Sequence, residues 1–309
     1  MDGPDDPLAP PRRDGPLDLP RFTILICVKD RLDRLRECLA SLRPLAGEAS
    51  GELIIVCDGG PVSIQRDAGP LIEAPGWTSR WINVPAGGPA KARNRALPEC
   101  RGELILFLND DVRCEPGLLA AHDAMHRRRP GHAVMGNTRW APEVVRTEFM
   151  HWVAHHDSFY YLIPGEMNAT WEYFHTMNLS VDRRWFDEGA RFDEEFPEPA
   201  FEDTELGYRL CTRHGLLIAM AYEAVLYHVH EFTAAEYLPK SRMRGRAARR
   251  FCDLYPELKD RILGEYIQHA ARLRGVRGRL RAALGRYDSL ELLEARIARE
   301  FLRGYRDPR

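Results

Sequence analysis

The feature that most constrains this chain is an apolar run, Leu104–Leu108, that ends directly in Asn109-Asp110-Asp111. Such a run is typical of a strand buried in a parallel sheet. The predicted strand ends in adjacent carboxylates, at the edge of the sheet where open α/β folds bind ligands. One interpretation is a metal site that holds a phosphate-bearing substrate, because a divalent cation offsets the repulsion between the carboxylates. The other is a plain strand-to-loop junction, where Asp favours a turn.

The chain around this run alternates between predicted strands and helices. We predict strands at Phe22–Val28, Glu52–Cys57 and Trp81–Val84, and helices at Arg31–Leu42, Pro89–Leu97 and Pro116–Arg127. This alternation predicts an α/β fold with a mostly parallel sheet and helices on both faces. Further along, we predict a helix at Thr204–His214, a strand at Leu216–Tyr227 and an Arg-rich helical region from Tyr237 onwards.

The charge of the chain is unevenly distributed. The formal net charge of the 309 residues is only −2, which argues against a nucleic-acid partner for the chain as a whole. Residues 240–309, however, contain 19 Lys and Arg against 9 Asp and Glu, a net charge of +10 that leaves −12 for the rest. A basic region of this kind predicts a polyanionic neighbour: a membrane surface, nucleic acid, or the acidic body of the protein itself.

The cysteines and the termini indicate the compartment. The seven cysteines are scattered, contain no CxxC pair and lie partly in apolar runs, which favours buried thiols in a reducing compartment. Residues 1–20 are rich in Pro and Asp, so we predict a disordered tail rather than a signal peptide. No apolar stretch approaches the roughly 20 residues of a spanning helix. We therefore expect a cytoplasmic protein, with peripheral membrane contact through the basic region.

Polar residues follow three of the predicted strands: Asp30, Asp58 and Asn109–Asp111. Because parallel strands end at the same edge of a sheet, we expect these residues to line one cleft. The pairs Gly59-Gly60 and Gly87-Gly88 allow a ligand to approach the backbone closely. Three basic residues follow at a helix start, where phosphate binding is favoured, although they could equally be solvated helix charges. They are Lys91, Arg93 and Arg95.

Two further motifs contain candidate functional residues. In Glu202-Asp203-Thr204-Glu205, either Asp203 or Thr204 could cap the helix that follows, or Asp203 could be a general base aimed into the cleft. His228 and His230 share one face of an extended segment, and one of them could complete a metal shell begun by Asp111. Solvated histidines are common, so this second motif is weak evidence for a metal.

Together these segments resemble the family 2 glycosyltransferases, which have the GT-A fold, a Rossmann-like mostly parallel sheet flanked by helices. Six segments match in the order of the family, over roughly residues 21–250. They are FTILICVKDRLDRLRECLASL, LIIVCDGG, PAGGPAKARNRAL, LILFLNDDV, MNLSVDRRWFDEGARFDEEF and FEDTELGYRL. The resemblance implies a catalytic domain at 21–236, with a nucleotide-sugar-binding half at 21–136 and an acceptor-binding half at 137–236. A helical, Arg-rich region would follow at 237–309.

The resemblance also implies roles on the donor side. Asp30 and Asp58 would contact the nucleotide base and ribose, and Asp110 would contact the sugar-nucleotide. Asp111 would bind the Mn²⁺ or Mg²⁺ that bridges the diphosphate. The first acidic residue of the usual metal-binding triplet is Asn109 here, while its last position is retained. Further donor contacts are predicted for Lys91, Arg93, Tyr237 and Arg242, and His228 or His230 would approach the metal or the diphosphate.

On the acceptor side, the resemblance implies that Asp203 is the general base and that Glu202 contacts the acceptor or orients the site. Between the carboxylate-ended strand and this motif, residues 144–176 are rich in aromatic residues and His, and form either a second layer of core, the favoured interpretation, or a wall of the acceptor site. Three tryptophans are candidates for stacking on a sugar or covering a lipid: Trp140, Trp152 and Trp171.

The predicted activity is therefore sugar transfer from a UDP-, GDP- or dTDP-sugar to an acceptor hydroxyl, with inversion and with metal assistance. The acceptor would be a glycan or a lipid-linked molecule, as in bacterial surface polysaccharide or glycolipid assembly. One alternative is a catalytically silent module of the same fold that binds glycans or a protein. Another is a sugar-phosphate nucleotidyltransferase, but that class needs a Gly-rich loop after the first strand, where this chain has Val28-Lys29-Asp30-Arg31.

Overall fold

The structure is a computed structural model. It describes residues 19–61, 63–68, 71, 74–144, 147–156, 169–229, 233–272 and 289–307. The predicted tail, apart from residues 19 and 20, lies outside these ranges, and so does His230.

Eight strands form one sheet within the described residues. They are β1 (Phe22–Val28), β2 (Gly51–Asp58), β3 (Trp77–Val84), β4 (Leu104–Asn109), β5 (Val112–Cys114), β6 (Ala133–Trp140), β7 (Asn178–Asp182) and β8 (Ile218–His228). Their order across the sheet is β3-β2-β1-β4-β7-β6-β8-β5. The predicted strands are all present, although β3 begins earlier than expected, at Trp77.

The helices flank this sheet. They are α1 (Leu32–Leu42), α2 (Ser63–Asp67), α3 (Pro89–Ala96), α4 (Leu118–Arg128), α5 (Glu148–His156), α6 (Arg184–Asp187), α7 (Glu202–His214), α8 (Ala234–Leu254), α9 (Lys259–Ala271) and α10 (Ser289–Arg306). Short 3-10 helices lie at Arg43–Gly47, Leu97–Glu99, Trp171–Tyr173 and Pro256–Leu258. None of the described helices is long and apolar enough to cross a membrane.

The strand β1 shows how the core is divided between the two faces of the sheet. Successive side chains of a strand point to opposite faces. Ile24 and Ile26 accordingly belong to the buried cluster that contains Leu39 of α1. Leu25 belongs to a second buried cluster, which contains Ala92 of α3. The predicted α/β fold with helices on both faces is thus confirmed.

The first four strands are parallel, and their register aligns their carboxyl ends. Val28 pairs with Cys57 of β2, and Cys27 pairs with Asn109 of β4. Asp58 and Asp110 therefore emerge at the same edge, as the sequence predicts.

Two antiparallel strands, β5 and β7, complete the sheet; neither these two strands nor β6 is predicted from the sequence. The strand β7 lies between β4 and β6 and is antiparallel to both. At the far end, β5 pairs with β8 in antiparallel orientation, which sets Val112 opposite His228.

The C-terminal region packs on the body through α8 and α10. These helices cross in backbone contact, because a Cβ atom built on Gly245 would lie 2.0 Å from the carbonyl oxygen of Phe301. Likewise, a Cβ atom on Gly304 would lie 1.9 Å from the carbonyl oxygen of Arg242. Glycine at these two positions lets the helices approach each other this closely.

The arginines of α8 bind partners within the protein. The pairs are Arg242 with Asp307, Arg244 with the Tyr237 hydroxyl, Arg246 with Glu198, Arg249 with Asp253, and Arg250 with Asp193 and Glu195. Three of the acidic partners lie in the segment 193–198 that precedes α7. Arg246 and Arg250 thus bind the acidic body of the protein, which is one of the three polyanionic neighbours considered for the basic region.

Candidate active site

The predicted polar residues converge around Cys27, near the carboxyl end of β1. The pKa of the Cys27 thiol is raised to about 11, mainly by burial. Arg93 opposes this shift, while Asp58, Asp110 and Glu202 reinforce it. All four charged groups therefore lie within electrostatic range of one thiol, although they come from four separate segments of the chain.

Asp58 holds the glycine turn that precedes α3. Its carboxylate accepts hydrogen bonds from the backbone N–H of Gly87 at 2.8 Å and of Gly88 at 2.9 Å. Gly88 has a φ of 85°, a conformation that favours glycine. Asp30 and Lys91, which the sequence also placed in this cleft, are exposed.

Asp110 and Asp111 share one guanidinium, that of Arg31. Arg31 donates from Nε to Asp110 Oδ2 at 3.1 Å, from Nη2 to Asp110 Oδ1, and from Nη1 to Asp111 Oδ2. Burial raises the pKa of Asp110 to about 6; Arg31 opposes the shift and the neighbouring Asp111 adds to it. The positive charge of Arg31 thus offsets the repulsion between these two buried carboxylates.

His228 lies on the other side of Asp111. The pairing of Val112 with His228 brings the His228 Nε2 atom to 3.5 Å from Asp111 Oδ2. The indole of Trp140 meets the imidazole edge-on, with ring centroids 5.5 Å apart. The structure thus brings together Asp111 and His228, two of the three residues that the sequence predicts as metal ligands; the third, His230, lies outside the described residues.

These residues fit a divalent cation that is held partly by its substrate. Among the described side chains, no cluster of three or more His, Cys, Asp or Glu residues forms a complete metal site. Mg²⁺ and similar ions, however, are commonly bound by one or two carboxylates together with substrate phosphates. The carboxylate of Asp111 and the imidazole of His228 are donors that suit Mn²⁺ and Mg²⁺, and they would supply the protein's part of such a shell.

Glu202 and Arg93 form a buried ion pair. Arg93 Nη1 donates to Glu202 Oε1 at 2.8 Å, and the two residues are 7% and 5% exposed. Burial and the neighbouring Asp203 raise the pKa of Glu202 to about 7, against the influence of Arg93. The second oxygen, Oε2, is buried and accepts no hydrogen bond from the described residues. Arg93, predicted to contact the donor, thus binds Glu202 of α7, which lies 109 residues further along the chain.

Asp203 lies in the first turn of α7, and its carboxylate is fixed from two sides. Asp203 Oδ2 accepts hydrogen bonds from Thr176 N at 3.0 Å and Thr176 Oγ1 at 3.1 Å, and Oδ1 accepts one from Thr204 N at 2.7 Å. His175 Nδ1 lies 4.0 Å from Oδ2. The expectation that Asp203 or Thr204 is the N-cap residue is wrong, because the helix begins at Glu202 and its N-cap is Phe201.

Phe201 is the only non-glycine residue with positive φ among the described residues, at 67°. Such a conformation is uncommon for a bulky side chain and is found disproportionately at functional sites. It turns the chain immediately before Glu202 and Asp203.

Comparison with known proteins identifies the family. A sequence model described as glycosyl transferase family 2 matches residues 23–190, more than half of the chain. The chain belongs to this family. Comparison with curated protein sequences gives no significant match. The family match leaves the nucleotidyltransferase alternative without support.

Solved structures show the same fold. The mannosyltransferase PcManGT from Pyrobaculum calidifontis, solved with GDP-Man and Mn²⁺, is 16% identical over 96% of this chain and 90% of that chain, with a TM-score of 0.62. S. aureus TarS 1-349 in complex with UDP-GlcNAc is 14% identical over 92% of both chains, with a TM-score of 0.50. A mycobacterial protein is 18% identical over 78% of this chain and 79% of that one, with a TM-score of 0.51. This family 2 glycosyltransferase therefore has the GT-A fold.

The structure also brings to the site two basic residues that sequence analysis did not select, Arg31 and Lys240. Burial lowers the pKa of Lys240; Glu236 and Asp111 act in the opposite direction, and Arg31 lowers the pKa further. In this glycosyltransferase, Lys240 of α8 therefore lies within electrostatic range of Asp111.

Tyr237 and Arg242 also lie on α8, and the resemblance implies that they contact the donor. In the structure their side chains contact other residues of the protein. Tyr237 is buried against Phe149 and Trp152, and Arg242 pairs with Asp307. Helical periodicity predicts α8 but does not tell which of its faces meets the site.

The three candidate tryptophans, of which Trp152 and Trp171 belong to the aromatic segment, are all buried, with exposures of 5 to 9%. Trp152 packs with Phe149 and Tyr237, and Trp171 packs with Tyr208 and Phe251. These contacts agree with the interpretation of this segment as a second layer of core. Phe159, Tyr160 and Tyr161 lie outside the described residues.

Proposed function

We propose that this glycosyltransferase transfers a sugar from a nucleotide-sugar to an acceptor hydroxyl with inversion of the anomeric centre and with the assistance of a divalent metal ion. One observation carries the proposal: a fixed carboxylate, Asp203, directly follows Glu202, and the Glu202–Arg93 pair and Asp110 all lie within electrostatic range of Cys27 at the end of β1. A candidate base and a candidate leaving-group site are thus connected through one buried pair.

On the donor side, Asp111 and His228 would hold Mn²⁺ or Mg²⁺. The bound ion would supply positive charge for the diphosphate that leaves. Lys91 and Lys240 add positive charge on the protein side of that leaving group. Asp58 would position the turn at Gly87-Gly88 so that the nucleotide can approach the backbone, with Asp30 nearby for the base or the ribose.

On the acceptor side, Asp203 would accept the proton of the attacking hydroxyl. The hydrogen bonds from Thr176 and Thr204 fix the carboxylate in one orientation, which is what a general base requires. Attack on the face opposite the leaving diphosphate inverts the configuration, and no protein nucleophile is needed. Glu202, buried and bound to Arg93, would orient this region rather than touch the acceptor.

We further propose that the donor is a UDP-, GDP- or dTDP-sugar. The acceptor would be a glycan or a lipid-linked sugar, as in bacterial surface polysaccharide or glycolipid assembly. Within the catalytic domain at 21–236, residues 21–136 would bind the donor and residues 137–236 the acceptor. Residues 237–309 would support the site through α8. Membrane contact through this basic region stays a prediction.

The first experiment is a thermal-shift screen with UDP, GDP, dTDP and their common sugars, each with Mn²⁺, with Mg²⁺ and with EDTA. A ligand that binds only the folded state raises the melting temperature. We expect one nucleotide to stabilise the protein only when the metal is present. The absence of a shift with any nucleotide would favour the silent binding module instead.

The second experiment tests the roles of the two carboxylates. With the donor found in the screen and a panel of free and lipid-linked sugars as acceptors, D203N should lower turnover by about 10²–10⁴-fold while donor binding is retained. D111N should remove the metal-dependent part of donor binding. The matched control is D260N, an exposed aspartate in the first turn of α9; it should leave turnover unchanged. Unchanged turnover in D203N would exclude Asp203 as the base.

A further inference from the structure

Arg31 binds the two paired carboxylates, which would also attract a divalent cation. One guanidinium donates to both oxygens of Asp110 and to Oδ2 of Asp111. That same Oδ2 atom lies 3.5 Å from His228 Nε2. A divalent ion held by Asp111 and His228 would therefore compete with Arg31 for one oxygen atom, and the two positive charges would repel each other.

The exposures of the three side chains show which group can move. The Asp110 side chain is 1% exposed and the Asp111 side chain 7%, whereas the Arg31 side chain is 50% exposed. Arg31 also lies just before α1, at the surface, so a rotation of its side chain alone would carry the charged end into solvent. The carboxylates belong to the sheet edge and have no comparable freedom.

Lys240 adds to the positive charge at this place, since Asp111 and Arg31 both influence its pKa. Asp110 and Asp111 are thus bound by Arg31, and Asp111 also lies within electrostatic range of Lys240. An incoming diphosphate changes this balance, because it offers phosphate oxygens to which a guanidinium binds strongly and in a bidentate manner.

We propose that Arg31 is an exchangeable counter-ion of Asp110 and Asp111. It blocks the binding of the metal alone and transfers to the phosphates of the nucleotide when metal and nucleotide bind together. This inference rests on the proposed function. Its consequence is that metal and nucleotide each strengthen the binding of the other, since such a coupling is reciprocal.

The test measures Mn²⁺ binding directly, by isothermal titration calorimetry and by the electron paramagnetic resonance signal of free Mn²⁺. The full-length protein is titrated alone and with saturating UDP, GDP or dTDP. R31Q should bind Mn²⁺ alone about 10- to 100-fold more tightly than the wild type, because the ion no longer has to displace charge-assisted hydrogen bonds. The gain in Mn²⁺ affinity on adding nucleotide should shrink accordingly.

Two control variants accompany R31Q. R34Q removes the same charge three residues further along, at an arginine of α1 that pairs with Glu37, and should bind Mn²⁺ as the wild type does. R31K keeps the positive charge but loses the planar guanidinium that can bind both carboxylates at once. Its affinity for Mn²⁺ should fall between those of the wild type and R31Q. Because R31K is the milder change, it also provides a result if R31Q does not fold.

The outcomes separate this inference from the function on which it rests. If R31Q and R31K bind Mn²⁺ no more tightly than the wild type while D111N abolishes binding, Arg31 does not compete, and metal-assisted transfer still stands. If neither the wild type nor any variant binds Mn²⁺, with or without each of the three nucleotides, the metal requirement in the proposed function is wrong, and this inference is overturned with it.

Discussion

The buried pair of Glu202 and Arg93 allows a quantitative prediction for E202Q. The pKa of Glu202 rises to about 7 in the folded protein, mainly because of burial, from an ordinary value near 4.5. Between these two pH values the folded state holds a proton that the unfolded state has released. The free energy of unfolding contributed by this group therefore falls as the pH rises through this window.

The size of the effect follows from the shift in pKa. One pKa unit corresponds to about 1.4 kcal/mol, so the wild type should lose about 3 kcal/mol relative to E202Q between pH 4.5 and pH 8. The amide of the variant keeps the shape of the side chain and does not titrate. The difference between the two unfolding free energies isolates Glu202 from the other titrating groups of the chain.

The assay is urea unfolding of the wild type and E202Q at several pH values from 4.5 to 8, followed by circular dichroism. The control is E37Q, an exposed glutamate of α1 that pairs with Arg34. The difference between E37Q and the wild type should stay within about 0.5 kcal/mol over the same range. Parallel curves for the wild type and E202Q would refute the reasoning, because they would mean that Arg93 fully compensates the burial of the Glu202 charge.

Two further predictions concern stability away from the site. The pKa of His122 falls to about 4, since burial outweighs its hydrogen bond with Asn178, so its imidazole stays neutral in the folded protein while the unfolded chain takes up a proton below about pH 6.5. Stability is therefore lost as the pH falls. Urea unfolding at pH 7 and pH 4.5 should show a loss about 2.5 kcal/mol larger for the wild type than for H122Q. Equal losses would contradict the lowered pKa. G245A should lower the melting temperature, because its Cβ would meet the Phe301 carbonyl oxygen at 2.0 Å, whereas G264A, in α9 with nothing within 4 Å of the added Cβ, should raise it. Stabilisation by both changes would mean that α8 and α10 do not pack as closely as described.

The parts of the molecule that could be predicted from sequence are those set by local patterns. Apolar runs ending in Asp58 and in Asp110-Asp111 define strands, and parallel pairing then places their ends at one edge. By contrast, the strand β7 reads NLSVD, with polar residues at both ends and in the middle, and has no continuous apolar run. Its place in the interior of the sheet depends on pairing with β4 and β6, which its own residues do not reveal.

The partners of the site residues could not be predicted, because they come from distant segments. Arg93 lies in a helix whose buried face is otherwise made of three alanines, and nothing in that segment distinguishes it from a solvated charge. Its partner, Glu202, is 109 residues away. Arg31 likewise begins a predicted helix and carries no sign of a site residue, since its contact with Asp110 requires the sheet to be assembled first.

The order of the strands has a consequence for attempts to recombine this enzyme with its relatives. The strand β7 lies in the part of the chain at 137–236 that we propose to bind the acceptor, yet it hydrogen-bonds to β4 in the proposed donor-binding part at 21–136. The short strand β5, directly after the carboxylates, pairs with β8, more than 100 residues further along. A chimera joined near residue 137 would therefore cut β6 itself, and would also have to rebuild the ladders of β4 with β7 and of β5 with β8 across the junction. Grafting single loops onto the existing sheet would leave these backbone ladders intact.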